Sequence, residues 1–102
     1  MNRRDTMITH IVFFKLKDSH NVKKASEVLL GLKGKIPQLR HLEIGIDILH
    51  SDRSYHLALV TKFDSLEDMK AYQIHPVHEE VSNYMASVRE SSVTVDYEGK
   101  GL

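Results

Sequence analysis

The stretch "YHLALVTKFDSLEDMKAYQIHPVH", residues 55–78, contains a change of hydrophobic period that decides the fold. Up to Phe63 it reads as a strand. Tyr55, Leu57, Leu59 and Phe63 fall on one face and His56, Ala58 and Val60 on the other, so both faces carry apolar residues. Ser65 followed by Asp68 then resembles a capping box with Asp in place of Glu. It opens a short helix that carries Leu66, Met69 and Tyr72 inward. His75 precedes a proline, which disfavours helical backbone at that residue. The short helix is therefore expected to break there and a second to begin at Pro76, with Val77, Val81, Tyr84, Met85 and Val88 as its buried stripe.

Working outward, "MITHIVFFKL" from Met7 to Leu16 is rich in Ile, Val, Phe and Thr and predicts a first strand. It too is apolar on both faces, with Ile8, Val12, Phe14 and Leu16 on one and Met7, Ile11 and Phe13 on the other. Val22, Ala25, Leu29, Leu32 and Ile36 recur at helical spacing, with Ser19 or Asn21 as the N-cap and Gly34 and Pro37 as the stop. "LRHLEIGIDIL" alternates cleanly, with Leu42, Ile44, Ile46 and Ile48 opposed to His41, Glu43 and Asp47. "SSVTVDYE" supplies a last strand with Val93, Val95 and Tyr97 on one face.

The order strand, helix, strand, strand, broken helix, strand is that of an α+β, ferredoxin-like βαββαβ domain with a four-stranded antiparallel sheet. Helices cover one face of such a sheet. The apolar residues on the opposite faces of the first and third strands need another cover, and a second copy of the chain is the simplest source, giving a dimeric α/β barrel. The domain is expected over residues 7–98, with a flexible arm at 1–6 and a short tail at 99–102.

A chain of 102 residues suits one small domain. Lys plus Arg and Asp plus Glu both number 14, so there is no global field to draw the protein to nucleic acid or an anionic membrane. With no cysteine, disulfides, thiolate nucleophiles and sulfur-ligated metals are excluded, and the cytoplasm is the expected compartment. The N-terminus does not read as a signal peptide, and no segment is long and apolar enough to span a bilayer as a helix.

The chemistry lies in the histidines. His75 and His78 flank Pro76 and follow Tyr72, while His10 and His56 each interrupt an otherwise apolar strand. A buried imidazole without a partner costs about 1 to 3 kcal/mol, so each must find a hydrogen bond or a cavity. If the strand faces look toward the helices, all four histidines approach one space between helix and sheet. A neutral imidazole there removes a proton from a carbon acid, and a tyrosine hydroxyl donates to the carbonyl oxygen as charge develops. His78 lies near a helix N-terminus, which disfavours the imidazolium and keeps the base form available. The spacing of His75 and His78 across a helix break is not that of a helical zinc motif, so no metal site is expected. His20, His41 and His50 read as surface residues.

"HIVFFKLKD" at the first strand, "YHLALVTKFDSLEDMKAY" through the third strand and short helix, and "YQIHPVH" followed by "VTVDYE" together resemble the stress-responsive A/B barrel domain family over about residues 7–98. The resemblance implies a ferredoxin-like protomer that pairs sheet to sheet with a partner. It also implies chemistry: a plant polyketide cyclase of that family closes a linear thioester by aldol condensation without metal or organic cofactor. Tyr72 and His78 match its catalytic tyrosine and histidine, and His10, His56 and His75 match histidines of its pocket. The expectation is a homodimer with no cofactor, acting as a cyclase- or lyase-type enzyme, or as a binder, on a small apolar carbonyl compound. A non-catalytic stress-associated dimer and an oxygenase-like role are the alternatives.

Overall fold

The computed structural model describes residues 6–101. Strand β1 (Thr6–Leu16) leads through a 3-10 turn (Ser19–Asn21) into α1 (Val22–Leu30), followed by β2 (His41–Ile46) and β3 (Leu57–Phe63). Two consecutive helices, α2 (Leu66–Gln73) and α3 (Pro76–Val88), precede β4 (Arg89–Lys100). The strands form one antiparallel sheet in the order β2-β3-β1-β4. This is the expected βαββαβ architecture. The expected arm at 1–6 lies, apart from Thr6, outside the described residues, and β4 continues beyond the expected domain end at residue 98 to Lys100.

Local chemistry explains the helix boundaries. The Ser65 side chain accepts a hydrogen bond from the Asp68 backbone N–H at 3.1 Å, which caps α2. His75 Nδ1 accepts from the Val77 N–H at 3.1 Å and Pro76 occupies the first turn of α3. Helix α1 stops at Leu30, short of the expected Ile36. From Leu32 onward the bonds run to the residue three back, as from Leu32 N–H to the Leu29 carbonyl, and Gly34 adopts a left-handed φ of 76°. Leu32 and Ile36 still reach the core from this turn. At the N-terminal side, Asp18, which sequence spacing passed over, caps the 3-10 turn that leads into α1 by accepting from the His20 N–H, while Asn21 makes no side-chain cap bond.

The core lies between the helices and one face of the sheet, where Val12, Phe14 and Leu16 of β1 and Leu57, Leu59 and Phe63 of β3 meet Ala25, Leu29, Tyr72 and Met85. The opposite face carries an apolar strip, bounded by Thr9 and Met7, which are buried within the protomer. Cross-strand pairing aligns Ile11 with Val60 and Val95, and Phe13 with Ala58 and Val93, with Tyr97 two residues further along β4. Phe13, Val93, Val95 and Tyr97 are all close to half exposed. Among the described residues no helix is long and apolar enough to cross a membrane.

Candidate active site

A cavity of about 160 Å³ opens between α3 and the strands β1 and β4. Its inner end is set by three elements. Tyr72 comes from the last turns of α2, His78 from the first turn of α3, and His10 from the helix-facing side of β1. The break at His75–Pro76 is what allows Tyr72 and His78 to face each other, because a continuous helix would not fold the two side chains back together. Their ring centroids lie 4.5 Å apart at 58°, and Phe63 also packs against Tyr72 at 4.8 Å.

Two polar atoms here are buried without a partner among the described residues: the Tyr72 hydroxyl and His78 Nδ1. Each forgoes hydrogen bonding worth about 1 to 3 kcal/mol, which makes them the expected points of contact for a ligand. A third such atom, the Tyr84 hydroxyl, lies elsewhere, beside a groove between α1 and α3. Burial sets the protonation of the pair. Loss of solvent lowers the His78 pKa, with the nearby His10 acting in the same sense and the Gln73 backbone and Glu79 opposing. Burial pushes the Tyr72 phenol well above its ordinary value, so it remains a hydrogen-bond donor. The site therefore holds a neutral imidazole beside a protonated phenol.

His10 is anchored. Its Nδ1 contacts the Asp96 carboxylate directly across the β1–β4 ladder, where the two residues are register partners. The contact with Asp96 fixes the orientation of the ring in the cavity. Asp96 is a site residue that the sequence reading missed. Arg89, Ser92 and Thr94, which line the outer part of the cavity, were missed as well. The available signal was the alternation of polar Ser92, Thr94 and Asp96 with Val93, Val95 and Tyr97, but its meaning depends on the strand register.

The four histidines do not all converge. His10 and His78 share the cavity, whereas His56 and His75 serve the backbone. His56 Nδ1 accepts from the Leu16 N–H at 2.9 Å, and the His56 backbone N–H donates to the Phe14 carbonyl at 2.9 Å. It has the parity of Ala58, not of Leu57, and lines a separate depression of about 350 Å³ with Phe13, Tyr55 and Arg53. His75 is the N-cap of α3. No group of three or more His, Asp or Glu side chains able to hold a metal ion is present among the described residues.

The model of the stress responsive A/B barrel domain matches residues 8–99. The stress-response A/B barrel domain-containing protein DABB1 of Arabidopsis thaliana is 31% identical over 100 residues, which cover 90% of this chain. The chain spans about half of that relative's length, 47%. Among solved structures, a dimeric protein of unknown function with a ferredoxin-like fold from Bacteroides fragilis is 34% identical. It covers 91% of this chain and 96% of its own, with a TM-score of 0.79. A dimeric ferredoxin-like protein of unknown function from Thermobifida fusca is 27% identical over 92% of each chain, with a TM-score of 0.80.

Proposed function

This chain belongs to the stress-responsive A/B barrel domain family, and on that premise we propose that it is a cofactor-independent enzyme of the cyclase or lyase type. Its substrate is a small, largely apolar carbonyl compound, His78 is the general base and Tyr72 the hydrogen-bond donor. The carrying observation is the pair of partnerless atoms, the Tyr72 hydroxyl and His78 Nδ1, in a cavity that Val12, Leu32, Leu59, Val81 and Met85 also line. The imidazole takes a proton from the carbon next to the carbonyl. The electron pair moves onto the oxygen, and the Tyr72 O–H donates to the oxyanion as it forms. The enolate then attacks a second carbonyl, releases a leaving group, or regains the proton. His10, held by Asp96, is the third polar side chain at this end.

The protomer acts as a homodimer on this reading. The apolar strip of Ile11, Phe13, Val60, Val95 and Tyr97 supports it, as does the dimeric description of both solved relatives above.

The test is exchange of α-protons of small ketones such as 2-hexanone and acetophenone in heavy water, followed by NMR. The wild-type protein is expected to accelerate exchange, and His78→Ala and Tyr72→Phe to lose about 100-fold or more while melting close to wild type. Absence of exchange with every ketone tried, or unfolding of both variants, would leave the motif as a structural helix junction.

A further inference from the structure

The two ends of the cavity differ in chemistry. At the inner end stand Tyr72, His78 and His10. At the outer end are the side chains of Arg89, Ser92 and Thr94. Two independent rulers give the axis between them. Along α3 the run from His78 to the cap residue Arg89 rises about 16 Å. Along the sheet, Asp96 lies opposite His10, Thr94 opposite Val12, Ser92 opposite Phe14 and Arg89 opposite Leu16, a strand length of about 20 Å; both are backbone spans, which the side chains of Arg89 and His78, both lining the cavity, shorten from either end to the reach of a short ligand. The stretch between is walled by apolar side chains, among them Val12, Leu59, Val81 and Met85.

Arg89 is partly buried, and among the described residues no side-chain hydrogen bond or ion pair engages its guanidinium. The hydroxyls of Ser92 and Thr94 are likewise without partners there. Acidic residues close by on β4 are already taken: Asp96 by His10, and Glu90 by Lys15 at 3.7 Å. A guanidinium is a planar fork that matches a carboxylate in two parallel charge-assisted bonds. Lining the cavity with two hydroxyls beside it, the Arg89 guanidinium is chemically suited to a ligand that is anionic at one end.

We propose that the substrate class of this site is an oxo-carboxylate. Its carbonyl sits at Tyr72 and His78, a short apolar chain fills the middle, and its carboxylate is held by Arg89 with Ser92 and Thr94. This rests on the enolising role given above to His78 and Tyr72. It adds the feature that discriminates among carbonyl compounds. The chemical step is unchanged: the α-proton moves to His78, its electron pair forms the enolate, and the carboxylate takes no part beyond binding. Single negative charge matches a single guanidinium, which is why a carboxylate is favoured over a phosphate dianion.

The experiment uses 4-oxopentanoate, 5-oxohexanoate and 6-oxoheptanoate, with neutral 2-hexanone as the control. Binding is followed by NMR titration and turnover by α-proton exchange. The wild-type protein is expected to prefer at least one oxo acid over 2-hexanone by KM. Arg89→Gln should reduce that preference about 10-fold or more, with Arg89→Lys intermediate. An oxo acid that binds in an Arg89-dependent way without exchange upholds this inference and sinks the enolising role. Exchange of 2-hexanone with no preference for any oxo acid overturns this inference and leaves that role standing. Should Arg89→Gln fail to fold, Arg89→Lys and Ser92→Ala carry the comparison, and equal losses for charged and neutral ketones in both would also overturn it.

Discussion

Tyr72 and His78 have opposite tasks, and one cause assigns them. Removal of solvent disfavours whichever form is charged, so it holds the phenol protonated and the imidazole neutral. The direction of the His78 shift predicts a pH profile. Above the ordinary histidine value of 6.5 the ring is neutral in both folded and unfolded chains, so neither stability nor base content changes there on its account. As pH falls below 6.5 the unfolded chain takes up a proton that the folded one resists, and stability is lost progressively down through the lowered folded value. The acid limb of α-proton exchange is therefore expected below pH 6.5. A limb at or above 6.5, or one that persists unchanged in His78→Ala, would show that another group is the base. The hydroxyl of Tyr72 makes no bond within the described protein, so Tyr72→Phe removes function without removing a structural contact.

At the scale of elements, histidines of the same sequence neighbourhood part into different roles according to what their strand or helix needs. Helix α3 needs a cap because its first N–H groups have no partner, and His75 supplies it. Strand β1 ends in an irregularity between Lys15 and Leu16 against β4, and on its other side the Leu16 N–H is taken by His56 rather than by a ladder carbonyl. His56→Ala strands that amide, so it is expected to cost about 1 to 3 kcal/mol in urea unfolding. If exchange resides in His78 and Tyr72, the folded fraction of His56→Ala should retain most of it. A stable but inactive His56→Ala protein would place His56 in the chemistry instead.

At the scale of the whole molecule, the sheet has a covered face and an uncovered one, and substitution can tell them apart. Leu57 and Leu59, both under 5% exposed, point into the helix-covered core, so Asp at either is expected to unfold the chain. Phe13 and Val95 lie on the opposite strip, and Phe13→Asp or Val95→Asp is expected to give a folded monomer in sedimentation where wild type gives twice the chain mass. A wild-type monomer at micromolar concentration would refute the sheet-to-sheet pairing. The order of strands and helices, the two-faced character of β1 and β3 and the helix start at Pro76 were legible in the sequence. Each depends on periods or dihedral limits that act within a few residues. Where α1 stops was less so, because Leu32 and Ile36 keep the helical phase while the backbone has already tightened around Gly31 and Gly34. The site was half legible: Tyr72 and His78 are joined by a local break, but His10 and Asp96 are 86 residues apart and meet only through the β1–β4 register. The same register carries Arg89 to the far end of the cavity, and strand parity turns His56 away from it. Those placements belong to the tertiary structure, because a shift of one residue in strand pairing would send every side chain of β4 to the other face.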